Sequence, residues 1–372
     1  MTSDISQSSR LEFIDVLKGL AILGVLLIHC GGDAVLPGIF GKVAANGHSG
    51  VQCFFLISAF LAFSSLRRYS VAMQSWRDSL KWSFSHLLRL VPLFYLAIVL
   101  ELVFHGGSEF WLGEEKSVTF GNVLAHILFL HGFFPHYVDS ILGVEWYLGV
   151  LAMFFFLAPL LYRILDNFEK TFALFLISTV AFIPFDNVIG TRLSSIPDSH
   201  VYLSFASHFN LFAQLPVLLM GIALFHISNT FNNFSRDNVS IIIKQPRLLS
   251  YSLLALGGLV LVGQILSRNN ILFLTWDTIC GITFFCVFLS QLIHKSLFFK
   301  IPPLALLGRY SYPIYLSHMM IKFVYSRFIP SLAGNACVDW IIRYCIVVVI
   351  SLAISLLLDK CYDKPLRKLL HV

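Results

Sequence analysis

Charged residues are scarce in this chain: 12% of its 372 residues are Asp, Glu, Lys or Arg, against 57% that are hydrophobic. A water-soluble domain carries about 25% charged residues, so a soluble fold is excluded. The polar–apolar alternation of membrane-barrel strands is also lacking, which leaves a helical bundle as the spanning architecture. No internal repeat, low-complexity tract or soluble appendage breaks the pattern. The cysteines (Cys30, Cys53, Cys280, Cys286, Cys337, Cys345 and Cys361) show no CxxC spacing and lie mostly in apolar runs. Buried small side chains are therefore expected of them, not a metal site or a disulfide framework. A serine on a GxSxG turn is missing too, which removes one common nucleophile signature.

What the chain has is apolar length. Runs over residues 12–30, 50–66, 86–104, 144–162, 171–189, 208–228, 248–266, 271–293, 304–329 and 338–358 approach the roughly 20 residues that cross a bilayer. They predict an all-α integral membrane bundle of about ten transmembrane helices. Segment 120–134 (FGNVLAHILFLHGFF) is shorter, and loop charge assigns it, because Lys and Arg accumulate on the cytoplasmic side. Arg67, Arg68, Arg77 and Lys81 follow the second run, and Lys360, Lys364, Arg367 and Lys368 follow the last. Both termini are thus expected in the cytoplasm, which needs an even number of crossings. The loop 105–119, with Glu109, Glu114 and Glu115 against Lys116, then falls outside, and 120–134 becomes a short re-entrant or interfacial helix there. Arg163, Lys170, Arg236, Lys244, Arg247, Lys295 and Lys300 fall inside.

The expected organisation is a cytoplasmic tail (1–11), one transmembrane domain (12–358) and a basic cytoplasmic tail (359–372). The first run reads as an uncleaved span, since no small-residue cleavage site follows Cys30. The net charge of +6 is carried by the inner loops, so no nucleic-acid partner is implied.

The first span, RLEFIDVLKGLAILGVLLIHC, carries Asp15, Lys18 and His29, and ionisable groups in hydrocarbon are costly unless compensated. Lys18 and His29 are eleven residues apart. That is three turns plus about 20°, which puts them on one face roughly 16 Å apart. Asp15, one turn before Lys18, is close enough to pair with it. Ile22 and Val25 lie between them on the same face. A stripe with a charged pair at one end and an imidazole at the other suits a face that looks into a protein cavity.

The motifs around this stripe carry a resemblance. DVLKGLAILGVLLIH is similar to a pattern of Asp, then Arg or Lys, ten residues and His, and HSGVQCFFLISAFLAF is similar to GVxxFFxxSGFL. HLLRLVPLFYL resembles RxxRxxPxY, placing His86, Arg89 and Pro92. HILFLHGF with WYLGVLAMFFFLAPLL resembles WSxxVExxFYxxxPLL, mapping Trp146 and Pro159. LLGRYSYPIYLSHMMI resembles LGxxSYxIYLxH, placing Gly308, Ser311, Tyr312, Tyr315 and His318. Together they resemble the acyltransferase family 3 membrane proteins, bacterial enzymes that move acyl groups, commonly acetyl, onto extracytoplasmic glycans. Three positions depart from the pattern. His86 replaces an Arg, Ala59 replaces the Gly of SGF, and Leu151 stands where the family has a Glu, leaving Glu145 as the nearest carboxylate.

The resemblance implies a multi-pass protein of the bacterial inner membrane, a cytoplasmic acyl-CoA donor (acetyl-CoA or another) and a glycan or lipid-linked saccharide acceptor. Lys18, with Arg89, His86 and Arg309, is expected to hold donor phosphates. The donor's arm would pass Ile22 and Val25, and His29 would act as general base on the acceptor hydroxyl. Asp15 supports Lys18. Asp33, His48 and Glu145 are candidate partners for the second nitrogen of His29. Ser58, Trp146, Tyr315, His48 and His318 are candidate substrate or oxyanion contacts, with His318 alternatively tying spans together. His126 and His131 are expected among lipid headgroups. Cys30 offers an acyl-enzyme alternative, with direct transfer the simpler route. The rival class is a proton-coupled secondary transporter using the same intramembrane polar residues.

Overall fold

The computed structural model describes residues 2–31, 36–70, 75–105, 117–193, 198–233, 244–266, 274–294, 296, 299–328 and 334–366. Of the residues named above, Asp33, Glu109, Glu114, Glu115, Lys116, Arg236, Lys295, Arg367 and Lys368 lie outside them.

The chain folds as helices throughout: α1 (Thr2–Gly31), α2 (Gly38–Ala45), α3 (Ser49–Tyr69), α4 (Trp76–Leu88), α5 (Val91–His105), α6 (Phe120–Ile127), α7 (Trp146–Ile164) and α8 (Phe168–Leu193) form the first part. They are followed by α9 (Ser199–Ser207), α10 (Leu211–Asn233), α11 (Pro246–Leu266), α12 (Trp276–Ile293), α13 (Pro302–Arg309), α14 (Ser311–Phe328) and α15 (Ala336–Leu358). Among the described residues, seven helical stretches are long and apolar enough to cross a membrane, or eight if the bent pair α4–α5 is one span. The protein is a multi-pass membrane protein. The runs expected at 171–189 and 304–329 are helical in α8 and in α13–α14, but stand outside that count.

Several boundaries differ from the sequence expectation for local reasons. The run 86–104 is one end of a bent pair, α4 and α5, which meet at 46°. Ser75 caps α4 with a full capping box to Asp78, so the helix starts well before the apolar residues begin. Pro92, without an N–H, cannot continue its ladder. The expected N-terminal tail is continuous with α1, which begins at Thr2. At the other end a π-helical turn (Asp359–Asp363) prolongs α15 into the expected tail. Segment 120–134 contains α6, eight residues long, which at 1.5 Å per residue spans about 12 Å and cannot cross.

α1 runs through the interior and packs on α13, α3, α14 and α15. Phe13, Val16, Leu17, Ile22, Val25 and Leu26 are all buried, so the helix meets protein around most of its girth. Gly308 of α13 lies so close to the Asp15 carbonyl that any side chain there would collide with backbone. Behind α1, α10 packs on α3, α8 and α12. Ala59, the small residue in place of the family's Gly, is fully buried against Gly221 of α10, where a methyl is accommodated. α11 and α15 are peripheral, with Leu259, Val262, Val349 and Leu357 facing outward.

Candidate functional site

A cavity of about 450 Å³ opens at the His29 end of α1. Val25, Ile28 and His29 form its α1 wall, and His29 is partly exposed to it. The His29 ring lies 5.1 Å from that of His318 on α14. His318 is fully buried, and its Nδ1 donates to the Tyr315 carbonyl at 2.6 Å. A carbonyl only accepts, so in the neutral ring Nε2 is the bare nitrogen. That atom has no hydrogen-bond partner. His318, Lys322 and His48 are the titratable neighbours of His29.

Asp277, at the start of α12, anchors the facing wall. It is buried, and its Oδ1 accepts from Gln52 Nε2 at 2.7 Å. Its Oδ2 accepts from Gln214 Nε2 at 3.0 Å and pairs with His208 Nδ1 at 2.9 Å. The His208 side chain is 46% exposed against 3% for Asp277, so the carboxylate holds an imidazole at the cavity surface. Gln52, His208 and Asp277 all line the cavity. With Nδ1 protonated towards a carboxylate, the basic atom of a neutral His208 is Nε2.

A third wall comes from the loop ahead of α7, which contributes Asp139, Gly143 and Trp146. Glu145 builds this loop from behind. Its Oε1 accepts from the N–H groups of Ile141 (2.7 Å) and Leu142 (3.1 Å), and its Oε2 accepts from Val144 (3.0 Å). Gly143 takes φ +74°, a left-handed turn suited to glycine, which lets the chain wrap its own carboxylate. His126 Nε2 completes the shell at 3.1 Å, and its Nδ1 donates to the Asn122 carbonyl at 2.9 Å. His131 stacks on His126 at 4.4 Å, with the rings 8° apart. Burial, and then the His126 beside it, push His131 down to about 3. Burial alone would raise the Glu145 carboxyl, but hydrogen bonding and charge from His126 hold it below its usual range. Asp139, whose Oδ1 accepts from Trp146 N–H at 3.2 Å, is pushed well above the usual carboxylate range by burial and by the Glu145 charge.

At the other end of α1, Arg309 Nε approaches Asp15 Oδ2 at 4.0 Å, while Lys18 feels Asp15 as its main attractive charge. Asp15 thus lies between two cations rather than pairing with Lys18 alone. Arg89 is exposed at the α4–α5 break. The next residue, Leu90, accepts a hydrogen bond from Tyr312 OH at 2.7 Å, which brings the break to the α13–α14 junction beside Arg309. His86 stacks on Trp82 at 4.0 Å, and its Nδ1 engages the Trp82 carbonyl at 2.9 Å.

A family model described as an acyltransferase domain matches residues 11–360. The chain belongs to acyltransferase family 3. It is also similar to the regulator of hypoxia-inducible factor 1 from Caenorhabditis elegans, at 25% identity over 197 residues. That match covers 47% of this chain and 38% of the relative, so the chain aligns with well under half of that protein.

Within this acyltransferase family 3 chain, the structure brings His29, His48 and Trp146 to one cavity. Ser58 and Tyr315 stand behind the wall with their hydroxyls engaged: Ser58 Oγ with Tyr147 OH at 2.9 Å, and Tyr315 OH with the Val144 carbonyl. Glu145 does not reach His29; His126 and three backbone N–H groups occupy it. His126 and His131 are fully buried in the loop's support, not among headgroups. Cys30 is buried and Leu151 lies in the apolar core. Of the two residues expected along the passage, Val25 lines the cavity and Ile22, one turn below, does not; both are fully buried. Sequence reading passed over Asp277, although a carboxylate at the edge of an apolar run is a signal in itself. It also passed over Gln52 on α3, His208 between α9 and α10, and Asp139 in the loop ahead of α7, which only the tertiary fold brings together.

Proposed function

We propose that this protein is a membrane O-acetyltransferase of the bacterial inner membrane. It moves an acetyl group from cytoplasmic acetyl-CoA to a hydroxyl of an extracytoplasmic or lipid-linked glycan. The observation that carries the reading is His29 opening into a cavity that also presents His48, Gln52, His208 and Asp277, three turns along α1 from a cluster of cations, in a chain of this family. The Asp15 end of α1 and both chain termini are read as cytoplasmic, following the basic loops. Lys18, Arg309 and Arg89 supply the positive charge that phosphates of a nucleotide require. Asp15 keeps the first two of these apart and oriented. His86, held against Trp82, serves as a flat wall at this mouth rather than as a cation.

In the proposed reaction the acceptor hydroxyl gives its proton to His29 as its oxygen attacks the thioester carbonyl carbon. The carbon–sulfur bond then breaks, and the proton returns from His29 to the leaving thiolate. An imidazole suits both roles because one ring nitrogen can take up a proton and give it back. Negative charge on the carbonyl oxygen is met by a donor in the cavity wall, the Trp146 indole N–H or the Asp139 carboxyl in its protonated form. His48 and His318 flank the His29 ring. His208, fixed by Asp277, orients the acceptor from the facing wall. The thioester would reach His29 past the level of Ile22, which is fully buried.

Purified protein in vesicles, labelled acetyl-CoA outside and cell-surface glycan inside, tests the reading. Wild type is expected to label the glycan, and His29→Ala to lose roughly 10² to 10⁴ in rate, the worth of a general base. Undiminished labelling by His29→Ala refutes the assignment of the base. Solute flux without any labelling replaces the enzyme by a proton-coupled carrier.

A further inference from the structure

A smaller cavity of about 210 Å³ lies behind His48, which lines it as well as the cavity of His29. The His48 ring stands 5.2 Å from that of Trp276, and its Nδ1 is turned to the Ala45 carbonyl. The remaining walls include Asn46, Gln264 and Lys42. Three polar atoms of these walls are buried with no hydrogen-bond partner: Asn46 Oδ1, Gln264 Oε1 and Trp276 Nε1. Asn46 is 8% exposed and Gln264 2%. Their amide nitrogens are used, Asn46 Nδ2 on the Lys42 carbonyl at 2.9 Å and Gln264 Nε2 on Cys280 Sγ at 3.4 Å. Lys42 Nζ is likewise engaged, on the Leu266 carbonyl at 3.0 Å.

Buried polar groups in folded proteins are nearly always paired. Three such orphans on residues that line one cavity therefore mark walls with hydrogen-bonding capacity left over. Two are carbonyl oxygens that accept, and one is an indole N–H that donates. No carboxylate is among the described lining residues, so nothing there favours a cation. Indole and imidazole add flat apolar faces. This combination of acceptors, a donor and ring faces matches a hydroxyl-rich ring with C–H groups on its faces. The volume lies below the roughly 300–1,000 Å³ of sites for larger ligands, so it suits one small unit.

We propose that this cavity is a second acceptor subsite. It holds the hydroxyl-rich saccharide unit next to the one acylated at His29, with His48 between the two. The proposal rests on the acyltransfer reading and adds to it a requirement for acceptor length.

The probe is cell-surface glycan, stripped of esters with mild alkali and sorted into one-unit and two-unit fragments, offered with labelled acetyl-CoA to the full-length protein in nanodiscs. Wild type is expected to prefer two units. Gln264→Leu, Asn46→Leu and Trp276→Phe should each raise KM for the two-unit acceptor by about five- to tenfold, the worth of one hydrogen bond. kcat, and the rate with one unit, should not change. Trp276→Phe keeps the ring and loses only the N–H, so it guards against a folding defect in the other two variants. Equal KM values in wild type and all three variants overturn the subsite and leave the cavity to water. If wild type acetylates neither fragment, the acyltransfer reading falls, and calorimetry with the two-unit fragment decides the subsite alone. Heat with wild type but not with Trp276→Phe upholds it, and no heat with either overturns it.

Discussion

Two histidine–carboxylate pairs sit within this fold, and they are built for opposite purposes. In His126–Glu145 both side chains have no exposed surface, and the carboxylate is saturated by an imidazole and three backbone N–H groups. In His208–Asp277 the carboxylate is equally buried and anchored by two glutamine amides, but the imidazole is nearly half exposed on a cavity. Pairing alone does not distinguish a fastener from a working group. What distinguishes them is whether any capacity is left over. Glu145 spends all of its capacity on holding a loop, whereas Asp277 spends its capacity on aiming a ring that faces open space.

The largest effect is expected where the pair is a fastener. Glu145→Leu strips the acceptor from His126 and from the N–H groups of Ile141, Leu142 and Val144, so buried donors are left unpaired. Breaking one side of such a buried pair costs about 3–5 kcal/mol, and thermal unfolding in detergent should register it as a large drop in melting temperature. A variant that melts like wild type would mean that the loop ahead of α7 is held by something else. In the second pair, Asp277→Asn keeps the shape and removes the charge that fixes the His208 tautomer. Transfer is expected to fall by about 10- to 100-fold, the range seen when an orienting partner of a histidine is lost, with the melting temperature close to wild type. If stability falls and rate does not, the two pairs are alike and the contrast is wrong.

That contrast was only half legible in the sequence. The stripe of Asp15, Lys18 and His29 follows from helical geometry, because a span has one period and its polar residues must share a face. The helix α6 was readable as too short to cross because residue count sets length. Glu145 was visible as a carboxylate beside Trp146, yet its partners His126 and Ile141–Val144 come together only through a loop with a left-handed glycine at Gly143. A strip of sequence carries no period for such a loop. Asp277 and Gln52 lie on two helices and His208 in the turn between α9 and α10, so nothing local predicts their meeting. The burial of Ile22 is likewise a property of neighbouring helices, since its own side chain is as suited to lining a passage as to packing in a core.

The smallest effect, and the one that links both pairs, belongs to Asp139. It stands on the cavity wall while its raised pKa comes from burial and from the Glu145 charge behind it. The folded pKa lies above the unfolded carboxylate value, so the folded protein holds this proton more tightly than the unfolded chain does. Stability linked to the proton is then complete below the unfolded value and is lost as pH rises through the folded one. If the protonated carboxyl is also the oxyanion donor, the transfer rate falls over that same rise in pH. Asp139→Asn keeps an N–H donor in place of the O–H and cannot titrate. Below that decline it should therefore transfer acetyl within a few-fold of wild type, a conservative swap of one hydrogen-bond donor. Its rate and its melting temperature should both lose the decline. A decline that persists unchanged in Asp139→Asn assigns it to another group and leaves Trp146 as the donor on that wall.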